Sequence, residues 1–535
     1  MYRLMNCKNM KQILKLLVYG FSIIMSIAVF SCTETDDGSS IERPDGDKIN
    51  GYYTEPQYYA GFFAYNVMND VYLWKEEISS TLNTWKVNDE PIKKVEDIRY
   101  KDASGNEVDK WTMLTDNYES FTNSVSGVTT TYGYDFQLYY KDENKNALVA
   151  IITYTYRDSP ARIAGMKRGD AIFSVNGQEI TIDNYADLLL YSTSAEFEIL
   201  NEKRDGFDKL TLNAINMHLN PIIVNKIFEY EGKKIGYLAY TSFTLESCAD
   251  LIEVCKNFKK EGVTELILDL RYNGGGYVIT ENLLASMLAP AEAVKNKEVF
   301  ETEIWNKEYM DYYSKQGDDL KTRFQTEYNF TDLSGKKHSF NTIDANVGLE
   351  HIIALTSTST ASASEALLVG LMPYMNIQKI GEKTHGKYCT GWMLDAVEWF
   401  DDINENLKKK NTNFGKEFPE YAKWKTYAKN WGIYVMISRY ADRDGNNPCM
   451  PNGLLPDIEV DDNPQEAYEL GDDRESLLRM ALNEVGYTNF TPIQDVGFRS
   501  ASKSMIKAFN HISTNPLDKR RILIGNIKRP YTMIH

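Results

Sequence analysis

From residue 217 onward, short apolar runs alternate with longer stretches in which apolar residues recur at helical spacing. The runs at 234–239 and 265–271 read as strands, and 245–259 between them reads as an amphipathic helix. The second strand leads directly into Asn273, Gly274, Gly275 and Gly276, after which the pattern predicts a helix over 279–289. Farther on, 351–355 reads as a buried strand, 362–372 as a helix stopped near Pro373, and 377–380 as another strand. Strand–helix alternation of this kind predicts an α/β core. In such cores sites collect beyond the carboxyl ends of strands, where both the triple glycine and Ser362 fall.

The earlier part of the chain is patterned differently. Residues 51–125 read as mostly helical, with Tyr58, Tyr59, Phe62, Phe63, Tyr65, Tyr72 and Trp74 crowded into one segment, so its faces should pack on something else. A β-rich stretch begins near Tyr132 and includes the apolar run 147–153. Ser159 then caps a helix of one or two turns, Gly165 ends it, and Gly169 and Asp170 turn the chain into a strand over 171–175. Asn176 and Gly177 follow as a tight hairpin turn.

At 535 residues the chain exceeds what one core supports, so several domains are expected. Arg3, Lys8, Lys11 and Lys15 precede an apolar run over 16–30 that stops at Ser31 and Cys32, with no acid before Glu34. That run is short for a membrane span and carries the flanks of an export signal. Loss of those four cations deepens the formal charge from −17 to −21. Such a surface repels nucleic acid, and that class of partner is excluded. The last 45 residues reverse the sign, with Arg499, Lys503, Lys507, Lys519, Arg520, Arg521, Lys528 and Arg529 against Asp495 and Asp518. This basic end could meet anionic lipid, dock on the acidic body, or stay solvated. Cys248 and Cys255 sit too far apart on one helix face to bridge each other, whereas Cys389 and Cys449 could pair if their strands meet. The sequence holds no CxxC or His/Cys cluster that suggests a metal, and no cofactor is expected.

Three places carry candidate chemistry. Ser362 and Glu365 stand at capping-box spacing; a serine there also faces free amides and the positive end of a helix, where an oxyanion would be stabilised. Lys387 follows the next strand and should return to the same edge; it can act as a base only if burial without a carboxylate partner lowers its pKa. The run 269–276, Asp-Leu-Arg-x-Asn-x-Gly-Gly, ends in glycines that let main-chain N–H groups approach a ligand; phosphate cradling is disfavoured because no Gly-Lys-Ser/Thr follows.

Taken together, Asp-Leu-Arg-x-Asn-x-Gly-Gly, Ser-Ala-Ser-Glu (362–365) and Gly-Glu-Lys-Thr-x-Gly-Lys (381–387), with 25 residues from Ser362 to Lys387, resemble the C-terminal processing, or tail-specific, serine peptidases. The segment 451–457 is similar to that family's Gly-x-x-Pro-Asp stretch, and 159–177 resembles the centre of a PDZ domain. The residues before Cys32 resemble the lipobox of bacterial lipoproteins. The resemblance implies Ser362 as nucleophile, Lys387 as base and later acid, and the amides of Ala363, Gly275 and Gly276 as an oxyanion hole. It implies that Gly133, Tyr134, Asp135 and Phe136 receive a peptide carboxylate, the peptide adding as an edge strand. The implied fold is multi-domain α/β. An export signal over 1–31 and a tether over 32–50 precede a helical domain over 51–125. A PDZ-like β module over 126–216, a crotonase-like peptidase core over 217–490 and a basic extension over 491–535 follow. Partners would be proteins or peptides with exposed C-termini, and the membrane through lipid on Cys32, placing the protein in the cell envelope. A soluble secreted protein or a single-pass anchor are the other readings of the N-terminus.

Many members of that family carry glutamine four residues after the lysine, where Gly391 stands here, so the orienting group must come from elsewhere, such as Thr384 or an unplaced Ser or Glu. His385 raises a Ser–His variant. An alternative of a different class is an inactive lipoprotein that binds peptide ends through its PDZ-like module.

Overall fold

The computed structural model describes residues 55–493, apart from 87–88, 126–127, 142–144, 202, 204, 333 and 411–420, together with 507–508, 511 and 517–524. The expected export signal, Cys32 and the tether lie outside the described residues. Among the described residues, no helix is long and apolar enough to cross a membrane.

Helix α1 (Glu55–Asp70) buries nearly its whole circumference, including Tyr58, Tyr59, Phe63, Val67 and Met68. Its aromatics stack on the helical stretches Ala396–Lys410 and Tyr421–Tyr427: Tyr59 lies 5.8 Å from Tyr427, Phe62 lies 5.9 Å from Trp424, and Phe63 meets Trp399 edge-on at 5.5 Å. These residues belong to the same apolar cluster as the α/β core, so the N-terminal helices are a layer of that core and not a body with an interior of their own. The reason is the all-round apolar surface of α1, which needs cover on every side.

The PDZ-like module is an antiparallel sheet in the order β1 (Tyr134–Tyr140), β2 (Leu148–Thr155), β3 (Ala171–Val175), β4 (Ser194–Leu200), β5 (Phe207–Asn213). Ser159 caps Pro160–Ile163 by accepting from the Arg162 N–H at 3.1 Å. Asn176 and Gly177 both take positive φ in the turn that pairs Val175 with Gln178, as a two-residue hairpin requires. The module enters and leaves through one ladder, Val128–Thr131 against Ile215–His218. The outer edge of β1 is partly taken by the chain itself, since Ala508 N–H donates to Leu138 O at 2.9 Å.

The core holds two sheets. The first runs β6 (Ile222–Tyr230), β7 (Lys233–Tyr240), β8 (Glu265–Asp269), then the strands His351–Thr356, Asn376–Gly381 and Ile458–Glu459. It is parallel from β7 onward, with helices α2 (Ser247–Glu261) and α3 (Val278–Leu288) in the crossovers. Alternate residues of β8 face opposite clusters: Leu266 and Leu268 join the main core, while Ile267 joins the cluster beneath helix Ser476–Glu484. The second sheet runs β9 (Gly275–Tyr277), Arg520–Leu523, Cys389–Asp395, Gly432–Ala441, β10 (Val299–Trp305) and β11 (Lys321–Arg323). In chain order the remaining elements are β12 (His351–Thr356), helix α4 (Ala363–Leu371), β13 (Asn376–Gly381), β14 (Cys389–Asp395), β15 (Gly432–Ala441), β16 (Ile458–Glu459), helix α5 (Ser476–Glu484) and β17 (Arg520–Leu523).

One open alternative is decided and one expectation fails. Of the readings of the basic end, its described part docks on the chain's own body: β17 is an interior strand, parallel to both β9 and β14. Its Arg521 is fully buried, bonded to Glu281 at 2.8 and 3.1 Å and to Glu301 at 2.5 Å. Cys389 and Cys449 are both buried free thiols and form no disulfide.

Buried charge also joins the module to the core. Arg168, from the turn before β3, donates to Tyr272 OH at 2.6 Å and to Asp462 at 2.7 Å. Arg271 sits beside it, fully buried, paired with Asp269, Asp462 and Glu475 at 2.6–3.0 Å. The two guanidinium groups hold Asp462 well below the usual carboxylate range despite its burial.

Candidate active site

The segment after β8 forms one wall of the site. Asn273 Oδ1 accepts the Gly275 N–H at 2.9 Å, and its Nδ2 donates to Tyr240 O at 2.9 Å. Gly275 and Gly276 have φ of +116° and +142°. A Cβ on Gly275 would lie 2.8 Å from Ser362 Cβ and 2.4 Å from Arg520 O, so only glycine lets the turn approach the serine this closely. The Gly275 amide, expected to face an oxyanion, is thus already engaged by Asn273.

Ser362 is fully buried at the mouth of α4 with φ +65° and ψ −115°, a backbone conformation that a non-glycine residue adopts at a cost of about 1–3 kcal/mol. The turn before it is held to the glycine wall: Asn273 O accepts from Ala361 N–H and Ser364 Oγ, each at 3.0 Å, and Thr360 Oγ1 donates to Leu270 O at 2.8 Å. Among the described residues, Ser362 Oγ has no hydrogen-bond partner. Ala363 opens α4 and is fully buried beside it.

The third wall is the loop after β13, and one side chain ties it to the serine. Glu365 Oε2 accepts the N–H of Ser362 at 2.8 Å and that of Lys387 at 2.9 Å. Its Oε1 accepts Thr384 Oγ1 at 2.5 Å and the Gly386 N–H at 2.6 Å. Burial raises this carboxyl's pKa, and hydrogen bonds from Thr384, Gly386, Ser362 and the Cys449 thiol pull it part of the way back. The capping-box spacing anticipated the bond to Ser362; the reach to the lysine loop depends on where β13 ends. The segment 451–457 braces that loop from behind, with Leu454 N–H on Thr384 Oγ1 at 2.7 Å and Asp457 on Lys379 Nζ at 2.8 Å.

Lys387 is fully buried. Its Nζ donates to Lys519 O at 2.7 Å and to Tyr434 OH at 3.1 Å, and lies 5.4 Å from the Trp111 ring centre. Among the described residues no carboxylate forms an ion pair with it. Desolvation therefore dominates and lowers the amine's pKa to about 7, so much of it is uncharged at neutral pH. His385 is held by its N–H on Thr360 O, and burial with nearby Lys519 pushes its imidazole down to about 4. Sequence reasoning did not single out Trp111 or Tyr434 and named Lys519 only as one charge of the basic end; each arrives from a distant segment with no motif of its own.

The expected carboxylate-binding residues are divided. Gly133 occupies a positive-φ turn, its N–H on Thr131 Oγ1 at 3.0 Å. Tyr134, Asp135 and Phe136 lie inside β1, buried and paired with β2, and the Asp135 carboxylate accepts from Tyr154 OH. A groove opens instead one step earlier, lined by Thr131, Tyr132, Tyr134, Leu189, Leu190 and Ser192, between the turn and the helical stretch Asp187–Tyr191.

Residues 234–460 match the family model of peptidase family S41, and residues 151–200 match that of a PDZ domain. The chain is similar to a carboxyl-terminal-processing protease of a Picosynechococcus species, 24% identical over 50% of this chain and 57% of that one. It is also similar to the carboxy-terminal processing protease CtpB of Bacillus subtilis, 25% identical over 48% of this chain and 47% of that one. The chain spans about half the length of the curated relatives it matches. Its fold matches a crystal structure assigned to an S41 protease from Bacteroides fragilis, with TM-score 0.58 and 22% identity over 82% of this chain and 98% of that one.

Replacement of Glu365 by Gln turns two of four acceptor positions into donors that face donors. We expect Glu365→Gln to fold with a stability loss of about 1–3 kcal/mol by chemical denaturation. A midpoint equal to wild type would show that the two loops are held by other contacts.

Proposed function

We propose that this chain, which carries a peptidase family S41 core behind a PDZ domain, is a serine endopeptidase that cleaves proteins near exposed C-terminal tails, with Ser362 and Lys387 as its dyad. The observation that carries the reading is the Lys387 amine: buried, in no ion pair with a carboxylate among the described residues, and tied through Glu365 to the loop that bears the serine. A lysine kept only for surface charge has no reason to be desolvated, whereas a base that must be neutral near pH 7 does.

In the proposed mechanism Ser362 Oγ attacks the scissile carbonyl and its proton passes to the neutral amine. The tetrahedral oxyanion is received by the amide of Ala363, at the positive end of α4, and by that of Gly276 in β9. Collapse releases the amine product, protonated by Lys387, and water then resolves the acyl-enzyme with Lys387 again as base. The strained backbone at Ser362 fits a nucleophile carried on a sharp turn into a helix, where such strain is kept for function. Turnover of an unstructured protein such as casein tests this. Ser362→Ala and Lys387→Ala should each lose at least ~10³-fold in rate. Because only the uncharged amine is a base, wild-type kcat/KM should rise with pH and reach half its plateau near the amine's value of about 7. A rise centred near 4 would assign the base to His385 instead, and full activity in Ser362→Ala would leave only the peptide-binding alternative.

The groove beside Gly133 supports tail capture, with apolar Leu189 and Leu190 on one side and threonine and tyrosine on the other. Leu190→Glu should raise KM about tenfold (~1.4 kcal/mol) for a substrate with an apolar C-terminus and leave kcat unchanged. An unchanged KM would place capture elsewhere.

We also propose that the protein is exported and held at the cell envelope by lipid on Cys32, on the strength of the basic and apolar pattern that precedes it. Labelling cells with radioactive palmitate should mark the wild-type chain and not Cys32→Ser; label on both, or on neither, would remove the anchor.

A further inference from the structure

The neutral form of a lysine amine has two N–H groups and one lone pair, so its usefulness as a base depends on where that lone pair points. In this site both N–H directions have acceptors. One is a main-chain carbonyl, Lys519 O at 2.7 Å, and the other is a side chain, the Tyr434 hydroxyl at 3.1 Å. The hydroxyl can only accept from the amine, because its own hydrogen is donated to Arg521 O at 3.1 Å, and its second lone pair takes the Arg521 N–H at 3.3 Å. Main-chain groups on both sides therefore fix this oxygen. The strand that supplies them is itself pinned, with the Arg521 guanidinium bonded to Glu281, Glu301 and Thr390 in the interior.

The ring has room because of Gly391. A Cβ at that position would lie 2.3 Å from both Cε2 and Cζ of Tyr434, so no larger residue on β14 permits the ring to cross beneath the amine. The amine lies 5.3 Å from the ring centre, out beyond the hydroxyl, so the oxygen and not the ring face is what holds it.

We propose that Tyr434 is the positioning residue of the Lys387 base, holding one N–H of the neutral amine so that, with Lys519 O on the other, the lone pair is left to receive the Ser362 proton. This rests on the reading of Ser362 and Lys387 as the dyad. The other groups near the amine do not do this. Cys389 on β14 is a buried thiol whose pKa is pushed up, Arg520 and Arg521 on β17 are cations that offer no side-chain acceptor, and Asp109 is engaged by Tyr72 OH and the amides of Trp111 and Thr112.

The test is the pH profile of peptide cleavage by Tyr434→Phe, with Ser362→Ala assayed beside it. Tyr434→Phe should lower plateau kcat about tenfold with KM unchanged. The acid limb should move to lower pH, because an accepting oxygen stabilises the ammonium more than the amine. Should Tyr434→Phe fail to fold, 3-fluorotyrosine placed at 434 alone keeps the ring and weakens the oxygen as acceptor, and should shift the limb the same way by a smaller amount. Wild-type kcat with an unmoved limb in either variant overturns the proposal, as does a fall in kcat that tracks a lowered unfolding midpoint with the limb in place. Full activity in Ser362→Ala would instead remove the dyad, a result distinct from an inactive Ser362→Ala beside a wild-type-like Tyr434 variant.

Discussion

One buried carboxylate sets the geometry of the candidate site. Glu365 accepts four hydrogen bonds, three from the loop of Lys387 (Thr384, Gly386 and Lys387 itself) and one from Ser362, and does so where water does not reach. In a low-dielectric interior such bonds are strong when made and costly when broken, so serine turn and lysine loop move together or not at all. A residue that reads as a helix cap thus also ties the serine turn to the lysine loop, alongside the His385 N–H on Thr360 O.

Charge buried in pairs does the same work on a larger scale. Arg168 and Arg271 share Asp462 and Glu475 at the junction of module and core, and Arg521 joins Glu281 to Glu301 behind the lysine. Removing one partner from such a cluster leaves an uncompensated charge inside, which costs about 3–5 kcal/mol, so these clusters fix relative placement more than they add stability. The PDZ-like module is thus registered on the core near the glycine wall, and β17 is registered between β9 and β14. An arrangement that presents a captured tail to a nearby serine needs the first; a base held at fixed orientation needs the second.

The chain's end has two faces in this picture. Of the surroundings open to its basic residues, lipid, solvent or the chain's own acidic body, the described ones meet the last: Arg521 meets Glu281 and Glu301, and Lys507 meets Glu382. The carbonyls of the same segment finish the lysine's environment. Sequence reading weighed charge along the tail but had no means to see that one arginine in a run of three cations would be fully buried while its neighbours stayed near the surface.

The sequence by itself determined the strand–helix alternation, the hairpin at Asn176–Gly177, the glycine turn, and the candidate pair Ser362 and Lys387, because each rests on local periodicity, turn chemistry or short motif spacing. It also marked the space left open at Gly391. Tertiary structure alone decided what fills that space: Tyr434 lies 43 positions onward and β17 more than a hundred, and both reach Lys387 only because sheet pairing sets β14 between them. Tertiary structure likewise decided that Cys389 and Cys449 stay thiols and that the N-terminal helices share the core. Local pattern specifies elements, whereas burial and long-range pairing select which side chains meet, and a desolvated amine exists only after that selection is complete.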